Sequence, residues 1–259
     1  MAIRLAVLGS GSAGNATCVE GGAARVLIDA GFSCRELAAR LRGMGVEPQR
    51  LDGVLITHEH ADHVRGAALF SRTYRVPVFC TAATARASGL ACGELWGRVE
   101  VTAGAPFSIG GLSFHPFRLP HDAVETVGFV VEGRGHRVGY ATDLGHATPS
   151  VRERLRECDL LILESNHDVD MLRCGPYPPM VKQRVLGRHG HLDNESTASI
   201  AAEVASARTR LIVLAHLSRT NNRPELAVRS MRLGFERAGR RPPALHAARQ
   251  DAPSPWFEA

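Results

Sequence analysis

Lysine is nearly missing from this chain. Of 31 basic residues only Lys182 is a lysine, so the net charge of +5 and the pI near 9.1 rest on arginine. A bias spread along the whole chain is compositional, although guanidinium groups also grip phosphate oxygens through paired hydrogen bonds, and charge alone does not decide. Paired cysteines are missing too. The six cysteines (Cys18, Cys34, Cys80, Cys92, Cys158, Cys174) are never closer than twelve positions, which excludes a CxxC metal knuckle and a small disulfide scaffold. They are expected to be reduced and mostly buried. Aromatic residues make up 5%, too few to suggest a base-stacking platform for single strands. No run approaches the roughly 20 apolar residues of a membrane span, and MAIRLAV enters a strand-like pattern without a signal-peptide layout. A soluble cytoplasmic protein with no membrane partner is expected.

At 259 residues the chain can bury a large core. We read residues 1–259 as one α/β domain, with 240–259 as a C-terminal extension in which ALHAARQD is a candidate edge strand. Apolar runs read as strands: Ile3 to Leu8, Arg25 to Asp29, Gly53 to Thr57, Val76 to Cys80, Leu112 to Phe117, Val127 to Glu132, Arg137 to Thr142, Leu160 to Glu164 and Leu211 to Ala215. Helical signals lie between them, with Ser33 and Asn194 as N-caps and Pro224 opening the last helix. The order is mixed, which suits two mixed sheets packed together with helices outside.

The stretch Leu8-Gly-Ser-Gly-Ser-Ala-Gly-Asn15 has the glycine spacing of a dinucleotide loop, and Asp29 stands where such folds place a ribose-binding acid. That reading needs a helix after the glycines. The residues that follow, Ala16-Thr-Cys-Val-Glu-Gly-Gly, read instead as a strand and hairpin turn, and only ten residues separate Asn15 from Val26. No nucleotide cofactor is expected. Asp29 is read as a strand-end acid that orients a ligand histidine, and Ser10, Ser12 and Asn15 as contacts to a substrate phosphate, with a loop kept small for packing as the competing reading.

Thr57-His-Glu-His-Ala-Asp-His63 places three histidines and an aspartate directly after a buried strand. Four buried polar side chains without partners would each cost a few kcal/mol, so a metal site is the economical explanation. His58 and His60, two apart in an extended segment, project to one side and can bind one ion, while Asp62 and His63 begin a helix and point to a second. Imidazole and carboxylate donors suit Zn, Mn or Fe. Further ligands should come from other strand ends: His121 in RLPHDA, Asp143 in GYATDLG, able to bridge through its two oxygens, and His216 in LIVLAHLS.

With HEHADH, His121, Asp143 and His216 in place, the chain resembles the metallo-β-lactamase-fold hydrolases. Through SGSAGNAT, THEHADHVRG, ATDLGH, ESNHD, GRHGHLDNESTA, LAHLSRTNNRPELA and ARQDAPSPWFE it is similar to their YycJ/WalJ subgroup, bacterial proteins regarded as 5′ to 3′ exonucleases. The resemblance implies an αββα sandwich with a dinuclear site at one edge. It implies that His58, His60 and His121 hold one ion, that Asp62, His63 and His216 hold the other, and that Asp143 bridges.

The fold hosts many hydrolyses, so ligands alone do not name the substrate. The segments at Glu164 and at Arg188 to Asn194, with His216-Leu-Ser, resemble motifs of tRNA 3′-processing phosphodiesterases of the same fold, which favours phosphodiester cleavage. In that reaction a hydroxide bridging two Zn or Mn ions attacks phosphorus, and a protein group protonates the departing oxygen. His191 is the expected acid, Asp62 belongs to the catalytic centre, and Glu164 or His167 orients. Arg188 and Asn194 are candidate substrate contacts, Asn194 being equally readable as a cap. Lys182, Arg184 and His189 form either a backbone-contacting or a solvated loop, and Gly175-Pro-Tyr-Pro-Pro either a lid or a rigid turn. Asp143 and His216 are 73 positions apart, which leaves no room for a nuclease cap domain, so the groove is built by core loops or by a second subunit of a homo-oligomer. DNA, and RNA after it, is the expected partner. The alternatives are a small-molecule hydrolase (a cyclic phosphodiesterase, or a glyoxalase-II-like thioesterase or lactonase) and a metal-binding regulator that has lost catalysis. The complete ligand set argues against the last.

Overall fold

A computed structural model describes residues 2–90 and 95–259; Cys92 lies outside the described residues. The first sheet contains β1 (Arg4–Gly9), β2 (Ala16–Gly21), β3 (Ala24–Ile28), β4 (Gly53–Leu55), β5 (Val78–Cys80) and β6 (Arg98–Glu100). The second contains β7 (Phe107–Ile109), β8 (Leu112–Leu119), β9 (Thr126–Gly133), β10 (His136–Ala141), β11 (Leu160–Glu164), β12 (Leu211–Ala215) and β13 (Ala244–Ala247). The chain then returns to the first sheet as β14 (Phe257–Glu258), giving the orders β14-β1-β2-β3-β4-β5-β6 and β13-β12-β11-β10-β9-β8-β7. The C-terminal extension therefore supplies an edge strand to each sheet.

Alternation along the strands builds three apolar layers, since successive side chains face opposite sides. Leu160 and Ile162 join Val7, Ile28, Phe114 and Phe129 between the sheets. Leu161 and Leu163 face outward into a second layer, under α5 (Pro149–Leu155), α8 (Asn194–Val204) and α9 (Pro224–Arg237). The first sheet's outer face is covered by α1 (Cys34–Gly43) and α3 (Ala67–Tyr74), through Leu37, Leu41 and Phe70. The result is an αββα sandwich. Truncating Phe129, which is fully buried, costs about 3–5 kcal/mol on general grounds. Three shorter helices, α2 (Ala61–Val64), α4 (Ala82–Ala87) and α6 (Val169–Cys174), and a fourth, α7 (Pro179–Leu186), sit in the connections.

Local chemistry fixes the turns. After the glycine loop the chain runs as β2 antiparallel to β1, and Gly22, at φ 62°, turns it into β3. Gly110 and Gly111, both left-handed, close the β7–β8 hairpin, a two-residue turn signal absent from the strand pattern read above. Ser33 caps α1 by accepting from the Glu36 amide. At α8 the cap is Asp193, not Asn194: Asp193 Oδ1 accepts from the Glu195 and Ser196 amides at 2.9 Å, and Asn194 is already the first helical residue. Lys182 and Arg184 stand on α7 rather than in a loop, which leaves 187–193 as the connection to α8. The described cysteines are free, and all but Cys174 are buried. Among the described residues no helix is long and apolar enough to cross a membrane.

In each sheet some strands run parallel: β3 to β6 in the first, β10 to β13 in the second. Their carboxyl ends open on one edge of the sandwich, where such sheets place ligands. Asp29, the 57–63 segment, Asp143, Glu164 and His216 all lie there.

Candidate metal centre

Three strand-end residues at this edge leave their strands in the left-handed region: Asp29 at φ 63°, Asp143 at φ 64° and His216 at φ 56°. Non-glycine residues adopt this geometry at a cost, and the abrupt turn aims each side chain into the cleft rather than along the sheet. Gly31 admits the 57–63 segment, because a Cβ there would lie 1.7 Å from the Asp62 carbonyl oxygen. His60 then stands at the N-cap of α2, and Asp62 and His63 occupy its first turn.

The expected donors converge. His58, His60 and His121 form one group, and Asp62, His63 and His216 a second; within each, donor atoms lie within 4.8 Å of one another. Asp143 stands between them, grouped with His58 and His63 on one side and with Glu164, His191 and His216 on the other. The imidazole rings of His58, His60 and His121 are 4.7 to 5.3 Å apart.

The four buried imidazoles of these groups are each anchored through Nδ1, so that Nε2 faces the cleft and its donors. His58 Nδ1 meets Thr57 Oγ1 at 3.0 Å, and that hydroxyl is itself fixed by Asp29 Oδ1 at 2.9 Å. His63 Nδ1 meets Asp29 Oδ2 at 2.8 Å, His121 Nδ1 donates to the Gly190 carbonyl at 3.0 Å, and His216 Nδ1 meets Glu164 Oε1 at 2.9 Å. The Nε2 atoms of His58 and His121, and Asp143 Oδ2, are buried without a hydrogen-bond partner. Buried polar atoms are rarely left so, and orphaned imidazole nitrogens facing a carboxylate fit a divalent cation. Asp29 thus has the expected orienting position.

The two groups differ in charge. Burial pulls the His58 and His121 imidazoles below their usual range, which keeps them neutral. Burial also opposes charge on His63 and His216, but Asp143 and Asp29 at His63, and Asp143, Asp62 and Glu164 at His216, outweigh it. His63 is held well above its ordinary value and His216 at about 10. Conversely, burial pushes Asp143 up, while His216 and His63 more than compensate and hold it well below the usual carboxylate range.

Glu164 anchors the back of the site. It is fully buried, its Oε1 accepts from His191 Nδ1 at 2.7 Å and from His216 Nδ1, and its Oε2 accepts from the Leu144 and Leu192 amides at 3.0 and 3.1 Å. The charge of His191, with the bonds from His191 and His216, outweighs burial and holds its pKa at about 2. His191, ringed by His121 and His216 at 5.0 and 5.2 Å, is raised by the same carboxylate against the pull of burial.

Other expectations fare differently. His167 is buried with both ring nitrogens unpartnered and belongs to no donor group, so Glu164, not His167, orients His191. Ser10 and Asn15 are buried scaffold: Ser10 Oγ accepts from the His216 amide at 2.8 Å and donates to Asn15 Oδ1, while Asn15 Nδ2 lies 3.4 Å from Asp62 Oδ2. Asn194 is likewise engaged by Ser165 and Asn222. Their side-chain polar atoms are engaged within the fold rather than free for the phosphate contact expected of Ser10 and Asn15. Ser12 and Arg188 are exposed, Arg188 beside His146 at 3.3 Å. Reading the sequence missed Asp122. Its Oδ1 lies 3.3 Å from His121 Nε2 and 3.8 Å from His60 Nε2, and its Oδ2 is bound by Arg184 of α7. The His121-Asp122 dipeptide was the available signal.

Fold and donor set together define a metal-dependent hydrolase of the αββα type. The chain belongs to the beta-lactamase superfamily, whose domain matches residues 24–216, and within it to the YycJ/WalJ group. It is 33% identical over 245 residues to the exodeoxyribonuclease YycJ of Bacillus anthracis, covering 92% of this chain and 91% of that one. It is 32% identical over 234 residues to the exodeoxyribonuclease WalJ of Streptococcus pneumoniae serotype 2 strain D39, covering 88% and 86%. Among solved structures, the metallo-beta-lactamase fold protein YhfI from Bacillus subtilis superposes with a TM-score of 0.76 at 18% identity, covering 97% and 99%.

Proposed function

We propose that this chain is a dinuclear metal-dependent phosphodiesterase acting as a 5′ to 3′ exonuclease on DNA in the cytoplasm. In this reading His58, His60 and His121 hold one ion, Asp62, His63 and His216 the other, and Asp143 bridges. When bound, the ions, zinc or manganese, supply Lewis acidity toward the phosphoryl oxygens and make water nucleophilic near neutral pH. His191 holds a proton with its Nδ1 fixed on Glu164, leaving Nε2 to deliver that proton to the departing oxygen. Arg188 and Ser12, exposed beside the centre, meet the strand, and loops of a single domain form the groove.

The observation that carries this reading is Glu164, one buried carboxylate that orients both a ligand imidazole and a second, raised imidazole beside it. Hydrolysis of a phosphodiester needs such a proton donor next to the donor groups. That YycJ and WalJ are exodeoxyribonucleases points to DNA, and the buried free thiols suit a reducing compartment.

The test offers metal-loaded protein 5′-labelled duplex DNA, RNA, a chromogenic phosphodiester and a thioester. Release of mononucleotides from DNA is expected; thioester turnover with DNA left intact would overturn the reading in favour of a small-molecule hydrolase. His191→Ala is expected to slow DNA cleavage by about 10²–10⁴ with metal content unchanged. Loss of metal from that variant would make His191 a ligand instead.

A further inference from the structure

The glycine loop has two faces. One holds Asp62 through Asn15; the other, at Ser10, forms a wall of a cavity of about 270 Å³. Opposite that wall the cavity is lined by Arg219, Arg223, Arg249, Ser218, Glu225 and Asp251, among others. Arg249 is engaged by Asp251 at 3.1 Å. Arg219 and Arg223 are exposed, and among the described residues their guanidinium groups make no hydrogen bond or ion pair, though Asp251 attracts Arg219 at longer range.

The loop that presents these two arginines is stiff. Ser218 donates its amide to the Asn166 carbonyl at 2.8 Å, and Ser218 Oγ accepts from the Asn221 amide at 3.1 Å. Asn222 Nδ2 donates to the carbonyls of Ser165 and Asn166, and its Oδ1 accepts from the Arg223 amide at 2.8 Å. The same loop begins at His216, whose amide is bonded to Ser10. Two unpaired guanidinium groups, carried by a backbone-anchored loop beside a cavity that shares Ser10 with the His216 amide, suit an anion with several oxygens.

We infer that the Arg219–Arg223 cavity binds a phosphate of the substrate strand other than the one being cut, and so registers the polymer on the metal centre. This inference rests on the reading under Proposed function. The phosphate is either the 5′-terminal one or an internal diester; the chemistry is the same, and the substrates below separate the two.

The experiment measures kcat and KM for Arg219→Gln, Arg223→Gln and the double variant, as metal-loaded full chains, from about 50 to 200 mM salt. Substrates are 5′-phosphorylated and 5′-hydroxyl oligodeoxynucleotides and a small chromogenic phosphodiester too short to reach the cavity. In the double variant the KM for DNA is expected to rise about tenfold. The slope of log(kcat/KM) against log salt is expected to flatten by about 0.7 for each phosphate no longer neutralised. Turnover of the small diester stays within about twofold of wild type. An effect confined to the 5′-phosphorylated strand assigns the cavity to the terminal phosphate, and an effect on both strands to an internal one. Arg219→Lys keeps most of the slope. Unchanged slope and KM in the double variant, or equal loss on the small diester, overturns the inference. If wild-type protein leaves DNA intact, the reading under Proposed function falls and this inference with it; DNA cleavage with an unchanged slope removes the inference alone.

Discussion

Within the His58–His60–His121 group, with Asp122 at its rim, burial keeps His58 and His121 uncharged, whereas Asp62, His63 and His216 form a network of opposed charges closed by Asp143 and Glu164. The first group lets burial hold His58 and His121 uncharged, with their Nε2 atoms unpartnered, ready to accept a cation. The second surrounds its imidazoles with carboxylates, which favour the protonated rings and raise His63 and His216 above their ordinary values. On the reading under Proposed function, ions entering the two groups would differ in the protons they displace. Neutral imidazoles such as His58 and His121 bind a cation without first losing a proton, while imidazoles held protonated by buried carboxylates must give one up.

The comparison breaks most sharply at the residue both groups share. Asp143→Ala is expected to lower kcat/KM on the order of a thousandfold or more and to strip both ions, whereas Asp62→Ala and His121→Ala abolish turnover while each removes ions chiefly from its own group. Metal analysis of each purified variant checks this. Retention of both ions by Asp143→Ala would show that the carboxylate does not bridge.

A smaller effect is expected from Asp29→Asn. Asp29 holds His63 directly and reaches His58 only through Thr57. Affinity should fall about 10–100-fold at the Asp62–His63–His216 group and less at the other, read as two separate steps in a metal titration. Equal weakening of both steps would dissolve the distinction drawn between the groups.

How far this centre can be read from sequence depends on how local its signals are. HEHADH, Asp143 and His216 are legible because each follows an apolar strand, and a strand end in a parallel sheet fixes which edge its residue occupies. The three-residue β6 and the two-residue β14 carry no periodicity of their own; β14 exists by pairing with β1 across the whole chain. The helices α6 and α7 are also obscured, because α7 buries no residue and so shows no apolar stripe. The roles of Ser10, Asn15 and Asn194 invert for the same reason. Small polar residues in a loop look free to meet a ligand, and only the fold shows which of their atoms already have partners.

The pH dependence of the chelated protein sharpens the contrast at lower amplitude. His216 sits at about 10 against an ordinary 6.5, so its contribution to stability is complete below 6.5 and is lost as pH rises through 10. Glu164 sits at about 2 against 4.5, so its contribution is complete above 4.5 and is lost as pH falls through 2. Denaturation midpoints of chelated protein should therefore be highest between these windows and fall on the alkaline side. Loaded protein should hold its stability there, because deprotonated imidazoles bind the ion more tightly. A chelated protein that gains stability between pH 7 and 10 would contradict the charges assigned to the second group.

On the proposed reading the centre would take two ions, one of them displacing a proton among Asp62, His63 and His216. Calorimetric titration of chelated protein with zinc or manganese, repeated near neutral pH in buffers of different ionisation enthalpy, counts both ions and protons. The account predicts two ions per chain, with proton release accompanying the ion that enters among Asp62, His63 and His216. A single ion per chain, or two ions taken up with no proton released, would contradict it.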